Sequence, residues 1–295
     1  MNGRGEERFV ELEDGEHRMA GILHLPPGSD KKQGEDAAFP VILYCPGKNG
    51  ERYEVHRLAV KFARYLASIG IAMLRFDYVG LGLSDGHTSQ MTTSTKLSNV
   101  AAAYTWLTEQ PEIDKHHICL LGFSDGARMA LMSANRLGID QIILWSPLFY
   151  EFGGNMPGGR KPRFSRHPEY TDRLVMPWAG LWISMDFYRD LHGLDIQQEL
   201  HRYAGRSLVV YGDNDPLIEE EFAQLQTNQI AIYAGTDTHQ VTAIAGGGHL
   251  FTSCELETKL IHRTTRWLQE QFGHTEGNPV QMDAVEGGIE RCGDR

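Results

Sequence analysis

The chain has 295 residues, 41% of them hydrophobic, with 39 acidic against 28 basic side chains and a formal charge of -11. That length and composition fit one large globular domain, and the acidic balance argues against a general nucleic-acid or anionic-membrane binder. No apolar stretch is long enough to span a bilayer and the first residues carry no signal-peptide pattern, so a cytoplasmic protein is expected.

Phe9–Glu13 and His17–Leu25 flank Asp14-Gly15 and read as an antiparallel hairpin. After a polar linker from Pro26 to Ala38, apolar runs alternate with helical periodicities. Val41–Tyr44 reads as a strand, Val55–Ile69 as a helix, Ile71–Leu74 as a strand and Ser94–Leu107 as a helix. The pattern continues through Ile118–Leu121, a helix after Ser124, Gln141–Trp145, Ser207–Tyr211, a helix from near Pro216, Gln240–Ile244 and a last helix from about Leu250 to Phe272. Repeated strand–helix alternation predicts an α/β fold, a mostly parallel central sheet with helices on both faces and functional groups at the carboxyl ends of its strands.

The alternation stops between about residues 148 and 200. A glycine-rich stretch there is followed by the aromatic segment Trp178–Tyr188, and this insertion is expected to form a cap over the site. Residues 274–295, glycine-rich and charged, read as a disordered tail after a domain spanning 1–273. Cys45 and Cys119 fall in apolar runs and are expected as core residues. His116 and His117, lacking a third ligand at metal spacing, are expected to face solvent.

Function is most legible at Gly122-Phe123-Ser124-Asp125-Gly126, which follows a buried-strand pattern and precedes a helix-like one. This is the context of a nucleophile elbow, in which glycines leave room for a strained turn that exposes the serine. A serine hydroxyl needs a neutral imidazole to take its proton and a carboxylate to orient that imidazole. His249, after Gly246-Gly247-Gly248 at a strand end, is the candidate base. Asp213 and Asp215, in Gly-Asp-Asn-Asp-Pro after another strand, compete for the acid role. The backbone amides of Asp125, just past the serine, and of Lys48, in the Cys45–Gly50 loop, are the candidate oxyanion donors.

On these residues the chain resembles the α/β-hydrolase superfamily, in the branch that holds serine aminopeptidase-like hydrolases and cinnamoyl or feruloyl esterases. Asp77-Tyr78-Val79-Gly80-Leu81-Gly82-Leu83-Ser84 looks like that family's Asp-x-x-Gly-x-Gly-x-Ser turn, and His167–Leu174 looks like the start of a cinnamoyl-esterase cap. The resemblance implies the α/β-hydrolase fold and a Ser124–His249–Asp215 triad, because the family's acid lies three residues after the glycine. Asp213 is then structural.

The resemblance also implies a serine hydrolase that needs no cofactor or metal and acts on small-molecule esters or thioesters, and a homo-oligomer is compatible with it. Trp178, Trp182, Met185, Phe187 and Tyr188 would wall the substrate pocket. A thioesterase or acyltransferase would use the same triad, and a non-catalytic ligand-binding protein could share the fold. The chain departs from the family at Pro46 and Phe123, where histidines are common, and at Asp125, where glutamine is. A carboxylate at 125 would oppose a developing oxyanion unless it points away or pairs with a cation such as Lys48 or Arg128.

Overall fold

A computed structural model describes residues 5–28, 38–150, 163–178, 180–227 and 231–273. The chain opens with the hairpin β1 (Glu6–Asp14) and β2 (His17–Leu25), paired antiparallel from Glu6↔Leu25 to Asp14↔His17. β3 (Phe39–Cys45), α1 (Leu58–Ser68), β4 (Ala72–Phe76), α2 (Thr93–Thr108), β5 (Ile113–Phe123), α3 (Gly126–Leu137) and β6 (Gln141–Trp145) then alternate as the sequence predicts.

The insertion supplies β7 (Ser165–Arg166), β8 (Leu174–Trp178), β9 (Leu181–Ser184), α4 (Met185–His192) and α5 (Ile196–Arg202). The core resumes with β10 (Arg206–Gly212), α6 (Pro216–Thr227), β11 (His239–Ile244) and α7 (Cys254–Phe272). Eight strands form the main sheet in the order β1-β2-β4-β3-β5-β6-β10-β11, while β7-β8-β9 make a separate antiparallel sheet. From β4 onward the main sheet is parallel, and β2 joins it antiparallel to β4.

Period-two alternation sorts the strand residues onto two apolar layers. Val41, Leu43 and Cys45 of β3 face α2 and α3, whereas Ile42 and Tyr44 face α1 and α7. Both sides of each central strand are therefore covered, which is why these strands read as near-continuous apolar runs. Cys45 and Cys119 are buried in opposite layers as free thiols, and burial pushes the Cys45 thiol up to about 12.

Two helix starts differ from the sequence reading. The predicted helix from Val55 begins properly only at Leu58, because Glu54, His56 and Arg57 take left-handed backbone with φ of 56°, 38° and 62°. α7 begins at Cys254 rather than Leu250, since Phe251 is also left-handed at 49° and the Ser253 hydroxyl accepts from the Leu256 amide as the cap. β5 starts five residues before the predicted Ile118, so that His116 and His117 lie within it. His116 is exposed, but His117 bonds Asp114 Oδ2 at 2.6 Å and stacks edge-on against Phe272.

The glycine-rich part of the insertion and the tail from residue 274 lie outside the described residues. No helix among the described residues is long and apolar enough to cross a membrane.

In the α1/α7 layer Trp145 Nε1 donates to Thr264 Oγ1 at 3.0 Å in a buried hydrogen bond. Thr264→Val keeps the side-chain shape but strands a buried indole N–H, so it should lower stability by about 1–3 kcal/mol. Urea unfolding checks this, and a loss below roughly 0.5 kcal/mol would show that the bond contributes little.

Candidate active site

The strand order brings the ends of β3, β5, β10 and β11 to one edge of the sheet, and each carries one part of the candidate site. At the end of β5 the chain reverses in a single residue. Ser124 sits at φ 56°, its amide donates to Trp145 O at 2.9 Å, and its carbonyl accepts from Ala127 and Leu148 amides. Backbone crowding fixes the residues two before and two after it as glycine. A Cβ on Gly122 would lie 2.2 Å from Gly126 O, and one on Gly126 would lie 2.1 Å from Cys45 O and 2.4 Å from Pro46 O. The second of these contacts presses the loop after β3 directly against the elbow.

At the end of β10, three consecutive side chains reach the loop after β11. Asp213 Oδ1 accepts from the Gly246 amide at 2.8 Å and Asn214 Oδ1 from the Gly248 amide at 2.7 Å. Asp215 Oδ2 meets His249 Nδ1 at 2.7 Å while its Oδ1 accepts from the Leu217 amide at the start of α6. His249 Nε2 stands 2.9 Å from Ser124 Oγ. Of the two competing aspartates, Asp215 touches the imidazole and Asp213 pins the glycine turn that carries it. Asp215 is buried at 2% exposure, whereas the His249 side chain is partly open to solvent.

The loop after β3 is clamped from two sides. Buried Glu54 accepts from the Gly47 amide at 3.0 Å and from the Tyr44 hydroxyl at 2.8 Å, and burial raises its carboxyl pKa. Lys96, also buried, donates to Lys48 O at 3.1 Å. Asp125 is the N-cap residue of α3, so its amide lies at the helix N terminus, where backbone N–H groups have no partner within the helix. Its side chain turns inward, binding Lys96 Nζ at 2.7 Å and Arg128 Nη2. Burial alone would raise the Asp125 pKa, but the two cations hold it well below the usual carboxylate range.

Arg128 is thus one of the two partners that the sequence suggests for Asp125. The ammonium of the other, Lys48, stands 4.7 Å from the Phe187 ring centroid and 5.2 Å from that of Tyr188.

Among the residues expected to wall a pocket, Phe187 and Tyr188 of α4 are buried in the α2/α3 layer. Met185 and Trp182 are half-buried, and Trp182 lies edge-on to His167 with centroids 5.9 Å apart. The Trp178 side chain lies outside the described residues. Sequence reasoning missed Glu54 and Lys96. Lys96 was findable, because it falls on the buried stripe Thr93, Lys96, Val100, Ala103 and Leu107 of α2, where lysine is rare. Among the described residues no cluster of His, Cys, Asp or Glu could hold a metal ion.

A mostly parallel sheet, wrapped by helices and carrying a serine elbow, an aspartate and a histidine in that chain order, is the α/β-hydrolase arrangement. The chain has the α/β-hydrolase fold. Residues 8–140 match the family model described as esterase FrsA-like.

Esterase FrsA of Yersinia enterocolitica is 34% identical over 231 residues, covering 75% of this chain and 50% of that protein. The Escherichia coli esterase FrsA is 30% identical over 221 residues, covering 72% and 49%. The chain spans about half the length or less of the curated relatives it matches. Among solved structures, Est1E of Butyrivibrio proteoclasticus with ferulic acid bound superposes at TM-score 0.71 and 21% identity, over 89% of this chain and 99% of that one. The α/β hydrolase GrgF from Penicillium gives 0.68 and 17%, over 90% and 98%.

The folded-state pKa of Asp125 lies below the unfolded value of about 3.9, so ionisation of this carboxyl stabilises the fold fully above that value and progressively less as pH falls from there through the lower folded-state value. Asp125→Asn leaves Lys96 and Arg128 without their carboxylate and should cost about 3 kcal/mol or more at neutral pH. The deficit should shrink toward roughly pH 3. Urea unfolding of both proteins across that range is the check, and a deficit that grows in acid would contradict the pairing.

Proposed function

We propose that the chain is a serine hydrolase that cleaves carboxylic ester bonds through an acyl-enzyme, with Ser124 as nucleophile, His249 as general base and Asp215 as the carboxylate that orients it. The single observation that carries this reading is the unbroken contact from Asp215 Oδ2 through both ring nitrogens of His249 to Ser124 Oγ. The FrsA-like match supports the choice of ester hydrolysis.

In this reading Asp215 accepts a hydrogen bond from Nδ1–H and keeps that proton on the ring, which leaves Nε2 as the acceptor for the serine proton. Ser124 Oγ attacks the carbonyl carbon as that proton moves to Nε2, and the carbonyl π electrons pass to the oxygen. The Lys48 and Asp125 amides bind that oxygen, the second backed by the α3 N terminus. Collapse returns the electrons, breaks the ester C–O bond and sends the Nε2 proton to the departing alcohol. Water then repeats the sequence on the acyl-serine and releases the acid.

Small neutral or acyl-rich esters suit the site better than polyanions, given the acidic chain and the aromatic side chains of α4 and β9. Among the described residues expected to wall a pocket, Trp182 and Met185 are half-buried, and in this reading they contact the substrate. The buried reduced thiols of Cys45 and Cys119 fit a cytoplasmic setting.

Hydrolysis of p-nitrophenyl acetate and labelling by a fluorophosphonate test the assignment together. Ser124→Ala should abolish labelling and lower kcat by about 10⁴-fold or more. Asp215→Asn should cost about 10³- to 10⁴-fold by upsetting the imidazole tautomer, and Asp213→Asn roughly 10-fold or less, because it only loosens the turn. An active Ser124→Ala protein would end the reading, and a reversed aspartate ranking would end the assignment of the acid. Product analysis with competing alcohols or thiols would reveal acyl transfer in place of hydrolysis.

A further inference from the structure

A carboxylate one residue after the nucleophile works against an oxyanion, yet Asp125 is completely enclosed and its charge is held. The second cation that holds it comes from a different helix and does something more. Lys96 Nζ binds Asp125 Oδ2 at 2.7 Å, Lys48 O at 3.1 Å and lies 3.5 Å from Gly47 O. An ammonium has three protons, so one group can satisfy a carboxylate and the carbonyls of a turning loop at once, which no neutral side chain of that length can do.

The consequence for the loop follows from peptide geometry. In a trans peptide the carbonyl of one residue and the N–H of the next point in opposite directions. Gly47 O is drawn toward the Gly50 amide at 3.1 Å and toward Lys96, so the Lys48 N–H points the opposite way within the plane of that peptide. Glu54 fixes the preceding peptide by accepting the Gly47 N–H. Two buried charges of opposite sign therefore hold the Pro46–Gly47 and Lys48–Asn49 peptides, and little freedom is left to the Gly47–Lys48 peptide between them.

We propose, resting on the serine-hydrolase reading above, that Lys96 is a positioning residue for oxyanion binding: its buried ammonium, anchored by Asp125, fixes the Gly47–Lys48 peptide so that the Lys48 amide faces the reacting carbonyl oxygen. Asp125 then has its explanation. Its carboxylate holds the lysine that orients one oxyanion donor, while its own backbone amide supplies the other. Arg128, which also donates to Phe149 O at 3.1 Å, completes the neutralisation so that no net negative charge faces the site from Asp125.

The test compares wild type, Ser124→Ala, Lys96→Met and Lys96→Gln for kcat and KM on p-nitrophenyl acetate, for inhibition by a trifluoromethyl ketone that forms a tetrahedral adduct, and for unfolding midpoint. Lys96→Met should lower kcat by about 100-fold, the scale of a misplaced donor, with KM changed less than about 3-fold. Affinity for the ketone should fall in step with kcat, because both depend on the oxyanion. Lys96→Gln retains one short donor and should lie between Met and wild type.

An unchanged kcat in Lys96→Met overturns the proposal, as does a ketone affinity that follows KM rather than kcat. If Lys96→Met does not fold, Lys96→Gln decides by the same criteria, and failure of both to fold assigns Lys96 to the core alone and overturns the proposal too. An inert wild type or an active Ser124→Ala sinks the hydrolase reading and this inference with it. An inert Ser124→Ala beside an unimpaired Lys96→Met sinks only the role of Lys96.

Discussion

The close approach of backbone to backbone around Ser124 is the constraint on which the rest of the site depends. A serine at φ 56° costs on the order of 1–3 kcal/mol relative to ordinary backbone, and it is held there because glycine on either side lets β5, α3 and the loop after β3 touch without side chains between them. Those contacts do two jobs. They aim the hydroxyl out of the sheet, and they bring the 45–50 loop next to the first amide of α3. A larger residue at position 126 would push the loop away before it disturbed the serine, so the elbow and the candidate oxyanion loop are one mechanical unit.

The histidine side of the site is built on the same logic with different chemistry. Gly212 lies so close to Gly248 that a Cβ there would meet its backbone at 2.3 Å, and the two loops are then stitched by Asp213, Asn214 and Asp215 in succession. Only the third of these bonds reaches the imidazole, but the first two determine where the imidazole is. His56 adds support from α1's approach, its Nε2 bonding Leu250 O at 2.7 Å while Nδ1 contacts Glu257. A triple-glycine turn is thereby fixed from two directions, which reconciles its sequence with the accuracy that the proposed general base needs.

The parts legible in the sequence are those written in local pattern: the hairpin at Asp14-Gly15, the strand–helix alternation, and the elbow as a strand, a Gly-x-Ser-x-Gly turn and a helix. Local pattern fails where one element acts on another. Asp213 and Asp215 are equivalent as residues of a Gly-Asp-Asn-Asp-Pro turn, and what separates them is the position of that turn against the loop after β11. Glu54, His56 and Lys96 likewise acquire their roles only through contacts to the 47–48 loop or to Leu250. The helix expected from Val55 starts late for a related reason, because Glu54 is pulled inward onto the Gly47 amide and the backbone that follows is left-handed. Phe187 and Tyr188 carry an aromatic signal that suits a pocket wall equally well, but α4 lies so that both rings are buried and meet the Lys48 ammonium.

That last contact links the insertion to the chemistry. Lys48 is held at its carbonyl by Lys96 and along its side chain by the α4 rings, so the residue whose amide is the candidate oxyanion donor is shared between the core and the insertion. α4 also reaches the first turn of α2, the helix that carries Lys96, through Asp190 bonded to the Ser94 amide and hydroxyl. The Asp190 bonds face solvent and weigh little, whereas the ring contacts are shielded from water and weigh more. A shift of α4 would therefore be felt first at Lys48. An insertion braced in this way constrains the site even where it contributes no reacting group, and a substrate that repacked Phe187 and Tyr188 would act on the same peptide that Lys96 holds.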